Sequence, residues 1–250
     1  SYAGILGLTA RKGQTPTIPG VQIADIGGGA LYAAIGILIA LMGVKQNGVG
    51  QYVDTSMLDG AVSWLPVLAN DYFVKGVSPK AAENILNGQN ACYEVYETAD
   101  GRYISIGAIE PHLWANFCDA IGKEEFKLWQ RDLTKQDEMF ACLREMFKSK
   151  TQAEWIEKLT GVDCCWAPVK NLEEVFADPQ VLARDMVYEM TDPAGCYGSV
   201  KMIGSAVKLS ETPARQELFP PRKGEHNAEY LKAVGYSDEQ IAEFEKNGII

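Results

Sequence analysis

Between Ala30 and Met42 apolar residues follow one another with hardly a polar break, from Ala30-Leu31-Tyr32 through Ile37-Leu38-Ile39 to Leu41-Met42. A dense run of that length predicts a helix, because strands are shorter. Just upstream, Gln22-Ile23-Ala24-Asp25 reads as a short strand, and Gly27-Gly28-Gly29 as a turn without β-carbons. After the helix, the turn Gln46-Asn47-Gly48-Val49-Gly50 leads into a β-like run, Gln51 to Thr55, and then into helical spacing from Ser56 to Leu68. Strand, helix, strand, helix order predicts an open α/β layer, with ligands near the turns at strand ends.

From Val77 to Asn90 the periodicity fades and Pro, Gly and Asn take over, as in a linker. Alternation then returns: Tyr93 to Thr98 and Arg102 to Gly107 flank Asp100-Gly101 and predict a β-hairpin. Pro111 opens a helix through Ala120, Thr134 to Lys148 forms another, and Thr151 with Glu154 is a capping box for a third. Asn171 with Glu174, and Asp178-Pro179, start two short helices. Met186 to Thr191 and Ser199 to Ile203 predict a further strand pair, Pro213, Pro220 and Pro221 an extended crossing, and Ser237 to Gln240 a capped final helix before Gly248. These breaks divide the chain into an α/β part over 1–92, a smaller α+β domain over 93–190 and a return segment over 191–250.

Composition narrows the function classes. At 250 residues and 47% apolar, the chain can bury a sizeable core. Thirty-three acidic against 23 basic side chains leave a net charge of −10, which argues against nucleic acid or an anionic membrane surface as a partner. The confident apolar helix, Ala30 to Met42, is about 20 Å long, short of the roughly 30 Å of bilayer hydrocarbon, and reads as a buried core helix rather than a membrane span. Six cysteines lack C-x-x-C spacing and the two histidines, His112 and His226, lack partner spacing, so neither a disulfide framework nor a zinc site is expected. With no basic-apolar-small signal pattern at Ser1-Tyr2-Ala3-Gly4, these thiols predict a cytoplasmic protein.

Two carboxylates are candidates for chemistry. Asp25 precedes the glycine triplet, where backbone N–H groups converge at a helix start; it is either a cap beside packing glycines or a reacting acid. No glycine stands three positions after Gly29, so the dinucleotide pattern is not met, and there is no phosphate-binding G-x-x-x-x-G-K-[ST] loop. Glu110 immediately precedes Pro111 at another helix start, a place glutamate seldom takes as a cap. It is either a surface residue or a group that orients a neighbouring acid.

Six stretches, in order, carry a likeness: Ala24-Asp25-Ile26-Gly27-Gly28-Gly29, Gly48-Val49-Gly50-Gln51, Asp100-Gly101-Arg102-Tyr103, Gly107-Ala108-Ile109-Glu110-Pro111, Asp178-Pro179-Gln180-Val181 and Gly224-Glu225-His226-Asn227. As a set they resemble the class III coenzyme A transferases and the closely related α-methylacyl-CoA racemases. The resemblance implies an open α/β large domain, incomplete at its amino end, plus a smaller α+β domain. It implies Asp25 as the catalytic aspartate of either activity, Glu110 as the racemases' supporting glutamate, and Ile26, Gly27, Gly28 and Gly29 as substrate-binding. The substrate would be a coenzyme A thioester, with no bound cofactor. The assembly would be an intertwined homodimer, or an amino-terminal segment or partner subunit would complete the site. The racemases' His-Asp-x-Asn-Tyr stretch has no counterpart in these 250 residues. Racemisation of a 2-methylacyl-CoA, transfer of CoA to a carboxylic acid, and a non-catalytic role in a hetero-oligomer are the three readings that follow.

Overall fold

The computed structural model describes residues 1–214 and 218–250, which form two compact units, Ser1–Val169 and Lys170–Ile250. The first unit opens with a 3-10 turn, Ile5–Leu8, and a π-helical segment, Ile23–Ala30, that runs without a break into α1, Leu31–Asn47. Then come α2, Met57–Val62, and α3, Pro66–Lys75. Strands β1, Tyr93–Glu97, and β2, Tyr103–Gly107, lead into α4, Pro111–Ile121, a 3-10 stretch at Glu124–Trp129, α5, Gln136–Lys148, α6, Gln152–Leu159, and β3, Trp166–Pro168.

Local signals made most of these elements. The hairpin pairs Tyr93 with Gly107 and Glu97 with Tyr103, and Gly101, at φ 73°, takes the left-handed turn position. Pro111 begins α4, and the Thr151–Glu154 capping box closes at both ends. The strand β3 is antiparallel to β2, giving the sheet order β1-β2-β3. Against this sheet α4, α5 and α6 bury Trp114, Phe117, Met139, Leu143, Phe147, Trp155 and Leu159. Tyr96 stacks on Phe147 at 4.8 Å, and Trp155 packs on Phe147 at 4.5 Å while its Nε1–H donates to the Phe147 carbonyl at 2.9 Å. Burial pushes the Cys118 thiol up to about 12 and Cys164 up to about 11, so both stay neutral members of this core.

In the second unit α7, Leu172–Phe176, and α8, Pro179–Ala183, start at Asn171 and Asp178 as expected. The predicted strand pair is β4, Val187–Thr191, antiparallel to β5, Ser199–Ile203. Asp192 locks the connection, accepting from the N–H groups of Ala194, Cys196 and Tyr197 at 2.9 to 3.0 Å. Helices α9, Asn227–Ala233, and α10, Asp238–Lys246, complete it, α10 with the Ser237–Gln240 capping box. Part of the expected proline crossing, residues 215–217, lies outside the described residues.

Four expectations are corrected. Helices and sheets mix as expected, but both sheets are antiparallel, and among the described residues 1–92 no strand forms. Of the expected strand Gln22–Asp25, Ile23–Asp25 continue the helix backwards instead, with Gln22 as its cap residue, because the glycines enter the helix rather than breaking it. Leu31 N–H reaches the Ile26 carbonyl, five residues back, the bond that defines a π turn. Gln51–Thr55 forms no strand and pairs with none, and a strand without a partner is not held. The expected helix over Ser56–Leu68 is split before Pro66, which starts α3.

The apolar helix is also longer and barer than expected. From Ile23 to Asn47 it runs 25 residues, with mean hydropathy 2.0 over its most apolar 18-residue stretch, and spans about 37 Å at the α-helical rise, so by length and composition alone it is long enough to cross a membrane. No residue of α1 is buried, against the expected core helix. The two compact units meet at 169/170. Within the first, Arg11 reaches β1, with Nη1 2.8 Å from Glu94 and Nη2 donating to the Val95 carbonyl.

Candidate active site

Asp25 is the third residue of the π-helical segment, in its exposed first turn. First-turn N–H groups have no acceptor within their own helix. Here Ile23 N–H goes to the Val21 carbonyl and Ile26 N–H to the Gln22 carbonyl, so Ala24 and Asp25 carry the two amides left for a ligand.

One turn further on, the glycines explain the segment's path. Gly27 and Gly28 are buried. A β-carbon on Gly27 would sit 2.1 Å from the Trp64 ring, and one on Gly28 would sit 2.8 Å from the Met57 carbonyl oxygen and 3.0 Å from Ala61 N. The helix α2 faces back with Gly60, whose β-carbon would meet the Gly28 carbonyl oxygen at 1.8 Å. Two helical backbones touch here with no side chain between them.

That contact shapes a cavity of about 430 Å³. Asp25 lines it together with Tyr2, Ile5, Leu6, Ile18, Ile23, Met57 and Leu58 and their neighbours, and among the described residues no Lys, Arg or His lines it. Ile26, Gly27, Gly28 and Gly29, expected at the substrate, are not among them either. The two buried glycines face α2, and Ile26 is exposed.

Glu110 sits at the cap position of α4, exposed, with no side-chain cap bond and its carbonyl accepting from Trp114 N–H at 3.1 Å. Gln130 and Arg131 both donate to the preceding Ile109 carbonyl, at 2.9 and 3.0 Å, and so hold this segment in place. Glu110 does not line the Asp25 cavity. His112 is likewise absent from it, and among the described residues no group of three or more His, Cys, Asp or Glu is placed to hold a metal.

A more open groove of about 770 Å³ lies along β1 and β2, lined by Arg11, Tyr93, Glu94, Cys165 and Trp166 among others. Its arginine is already engaged by Glu94 and Val95.

Sequence reasoning missed Gly60, Trp64 and the cavity wall from α2. The available signal was a glycine inside a helical pattern, which marks a close approach.

The sequence model for CoA-transferase family III matches residues 1–227. The chain belongs to this family. It is 33% identical to an acyl-CoA transferase of Fusarium pseudograminearum, over 99% of this chain and 55% of that protein. It is 32% identical to the alpha-methylacyl-CoA racemase of Mus musculus, over 100% of this chain and 65% of the racemase. Among solved structures, a CAIB/BAIF family protein from Brucella suis superposes with a TM-score of 0.73 at 26% identity, covering 93% of this chain and 61% of that one. The chain thus spans between just over half and just under two thirds of these relatives' lengths.

Proposed function

We propose that this family III chain serves a racemase acting on 2-methylacyl-CoA thioesters, with Asp25 as one of two groups that exchange the α-proton. The observation that carries this reading is the placement of Asp25 on an apolar cavity that, among the described residues, no cationic side chain lines. A branched aliphatic acyl group suits that lining, whereas the free carboxylate of a dicarboxylic acyl group calls for an Arg or Lys partner.

The thioester carbonyl acidifies the α-carbon. Asp25 takes the α-proton on one face, the electron pair moves onto the thioester oxygen, and the enolate accepts a proton on the other face. The N–H groups of Ala24 and Asp25, which line the cavity, are the donors we assign to that oxygen. The opposite-face group is the histidine that the resemblance implies. Glu110 is retained as a supporting residue on the resemblance alone, and Ile26 to Gly29 support the substrate through the path they give Asp25.

The likeness to an acyl-CoA transferase favours a second reading. In it Asp25 attacks the thioester carbonyl, the C–S bond breaks, and an acyl-aspartyl anhydride forms as CoA thiolate leaves. Incubating the full-length protein with a single enantiomer of a 2-methylacyl-CoA in heavy water separates the two. Deuterium at the α-carbon with loss of optical purity, and no acyl exchange, is the expected result. Passage of CoA to an added carboxylate without deuterium uptake would replace racemisation by transfer.

A further inference from the structure

We propose that α2, with Ser63 and Trp64, is a clamp that fixes the position of Asp25, and that Gly60 is its positioning residue; this rests on Asp25 being the reacting acid. A π-helical segment holding three glycines has little stiffness of its own, so its path is set by what it touches. Together with the start of α1, it touches α2 and the two residues that follow α2 at three places. Gly27 lies under the Trp64 ring, Gly28 lies against Gly60 and Ala61, and Tyr32 Oη pairs with Ser63 Oγ at 2.7 Å. Ser63 Oγ is also 2.7 Å from the Gly60 carbonyl, to which it donates, so the last contact is tied to the second. At its other end α2 is capped by Ser56, whose Oγ accepts from Asp59 N–H at 3.0 Å.

The same short helix turns Met57, Leu58 and Ala61 to the cavity. It therefore sets two things together, the wall against which an acyl group lies and the helix turn that presents Asp25. Gly60 is the point where this cannot be adjusted: the atoms its β-carbon would meet, the Gly28 carbonyl oxygen at 1.8 Å and carbon at 2.6 Å, are backbone and have no rotamer to change. Gly28 is three residues from Asp25, less than one turn, so a shift of Gly28 is passed to the carboxylate.

The test is Gly60→Ala in the full-length protein, read as α-proton exchange per folded molecule. A displacement near 1 Å costs on the order of a hundredfold in kcat. The expected result is that loss, with KM for the thioester nearly unchanged. A contact with only a structural role would lower the melting temperature and leave kcat per folded molecule as it was.

Should Gly60→Ala fail to fold, a size swap decides: Gly27→Ala, which meets the Trp64 ring, lowers kcat, and adding Trp64→Leu restores most of it. Asp25→Asn is measured beside them. An inactive Asp25→Asn with a folded Gly60→Ala at full kcat, or a Gly27→Ala loss that Trp64→Leu leaves in place, overturns the clamp and spares the acid. A fully active Asp25→Asn overturns both.

Discussion

Within the first unit, residues 91–168 leave Trp114, Phe117, Met139 and Leu143 at 0% exposure, while in residues 1–75 Leu38, Ile39 and Met42 stand at 60 to 63%. Both stretches are rich in apolar residues; they differ in whether those residues meet. In 91–168 three amphipathic helices turn one face each onto one face of a sheet, the arrangement that closes a core. In 1–75 the long helix is apolar around its whole circumference; α2 packs on its first turns, and Val53 and Thr55 approach it at Gly36. The candidate chemistry belongs to this second stretch. Asp25 is therefore placed by contact between glycine backbones and not by a packed core, so small changes there should cost activity, whereas equally small changes in 91–168 should cost stability.

The largest effect expected is on turnover. Asp25→Asn keeps the shape of the side chain and, under the proposed racemisation, removes its capacity to accept the α-proton; general-base steps of this kind contribute about a hundred- to ten-thousandfold. Exchange of the α-proton in heavy water should fall by about a thousandfold while the thermal unfolding midpoint stays in place. A midpoint that drops with the rate would mean that Asp25 helps to hold the 1–75 stretch together.

The converse case is Trp155→Ala. Trp155 is 1% exposed, packs on Phe147 and bonds its carbonyl. Its loss leaves a large cavity, and denaturant unfolding should show about 3–5 kcal/mol of destabilisation. At a permissive temperature kcat per folded molecule should stay near its original value, because nothing in this substitution touches Asp25 or α2.

Gln136→Met sharpens the same side of the comparison at lower cost. Gln136 is buried, accepts from Ala91 N–H at 2.9 Å, and donates to the Trp129 and Asp132 carbonyls at 3.1 and 2.9 Å. Methionine fills similar space and makes none of these bonds, so buried backbone groups are left unpaired at a cost of about 1–3 kcal/mol. Unfolding by urea would measure it, and a near-zero value would mean that water reaches this site.

How much of this was legible in the chain follows the same division. The hairpin at Asp100-Gly101, the helix at Pro111 and the capping boxes at Thr151, Asn171 and Ser237 are each written within four or five neighbouring residues, and each formed as expected. What failed depends on distant partners. Gln22–Asp25 is too short for its pattern to separate strand from helix, and Gln51–Thr55 has β-like residues with no strand to pair with. Trp166–Pro168 gave no signal in three residues, because β2 makes it a strand. Asp25 was singled out before its cavity was known, but Gly60 was not, since its meaning lies in Gly28, over thirty positions away.

The smallest effect is also the one that bears most directly on the exposed helix. Leu38 is 61% exposed and lies in α1 away from the Gly28–Gly60 contact. Exposed substitutions of this kind change stability by no more than about 0.5 kcal/mol, so Leu38→Gln in this 250-residue chain should be nearly neutral, and should reduce its tendency to associate by interrupting the apolar face. The size of the change gives the contrast its meaning. Removing a buried leucine side chain typically costs about 2–5 kcal/mol, so a loss of that size would show that the face is covered in solution and would narrow the difference between the two stretches. A neutral result would show that the apolar helix stands bare in the folded protein, and the contrast between the two stretches would then be a lasting property of the molecule.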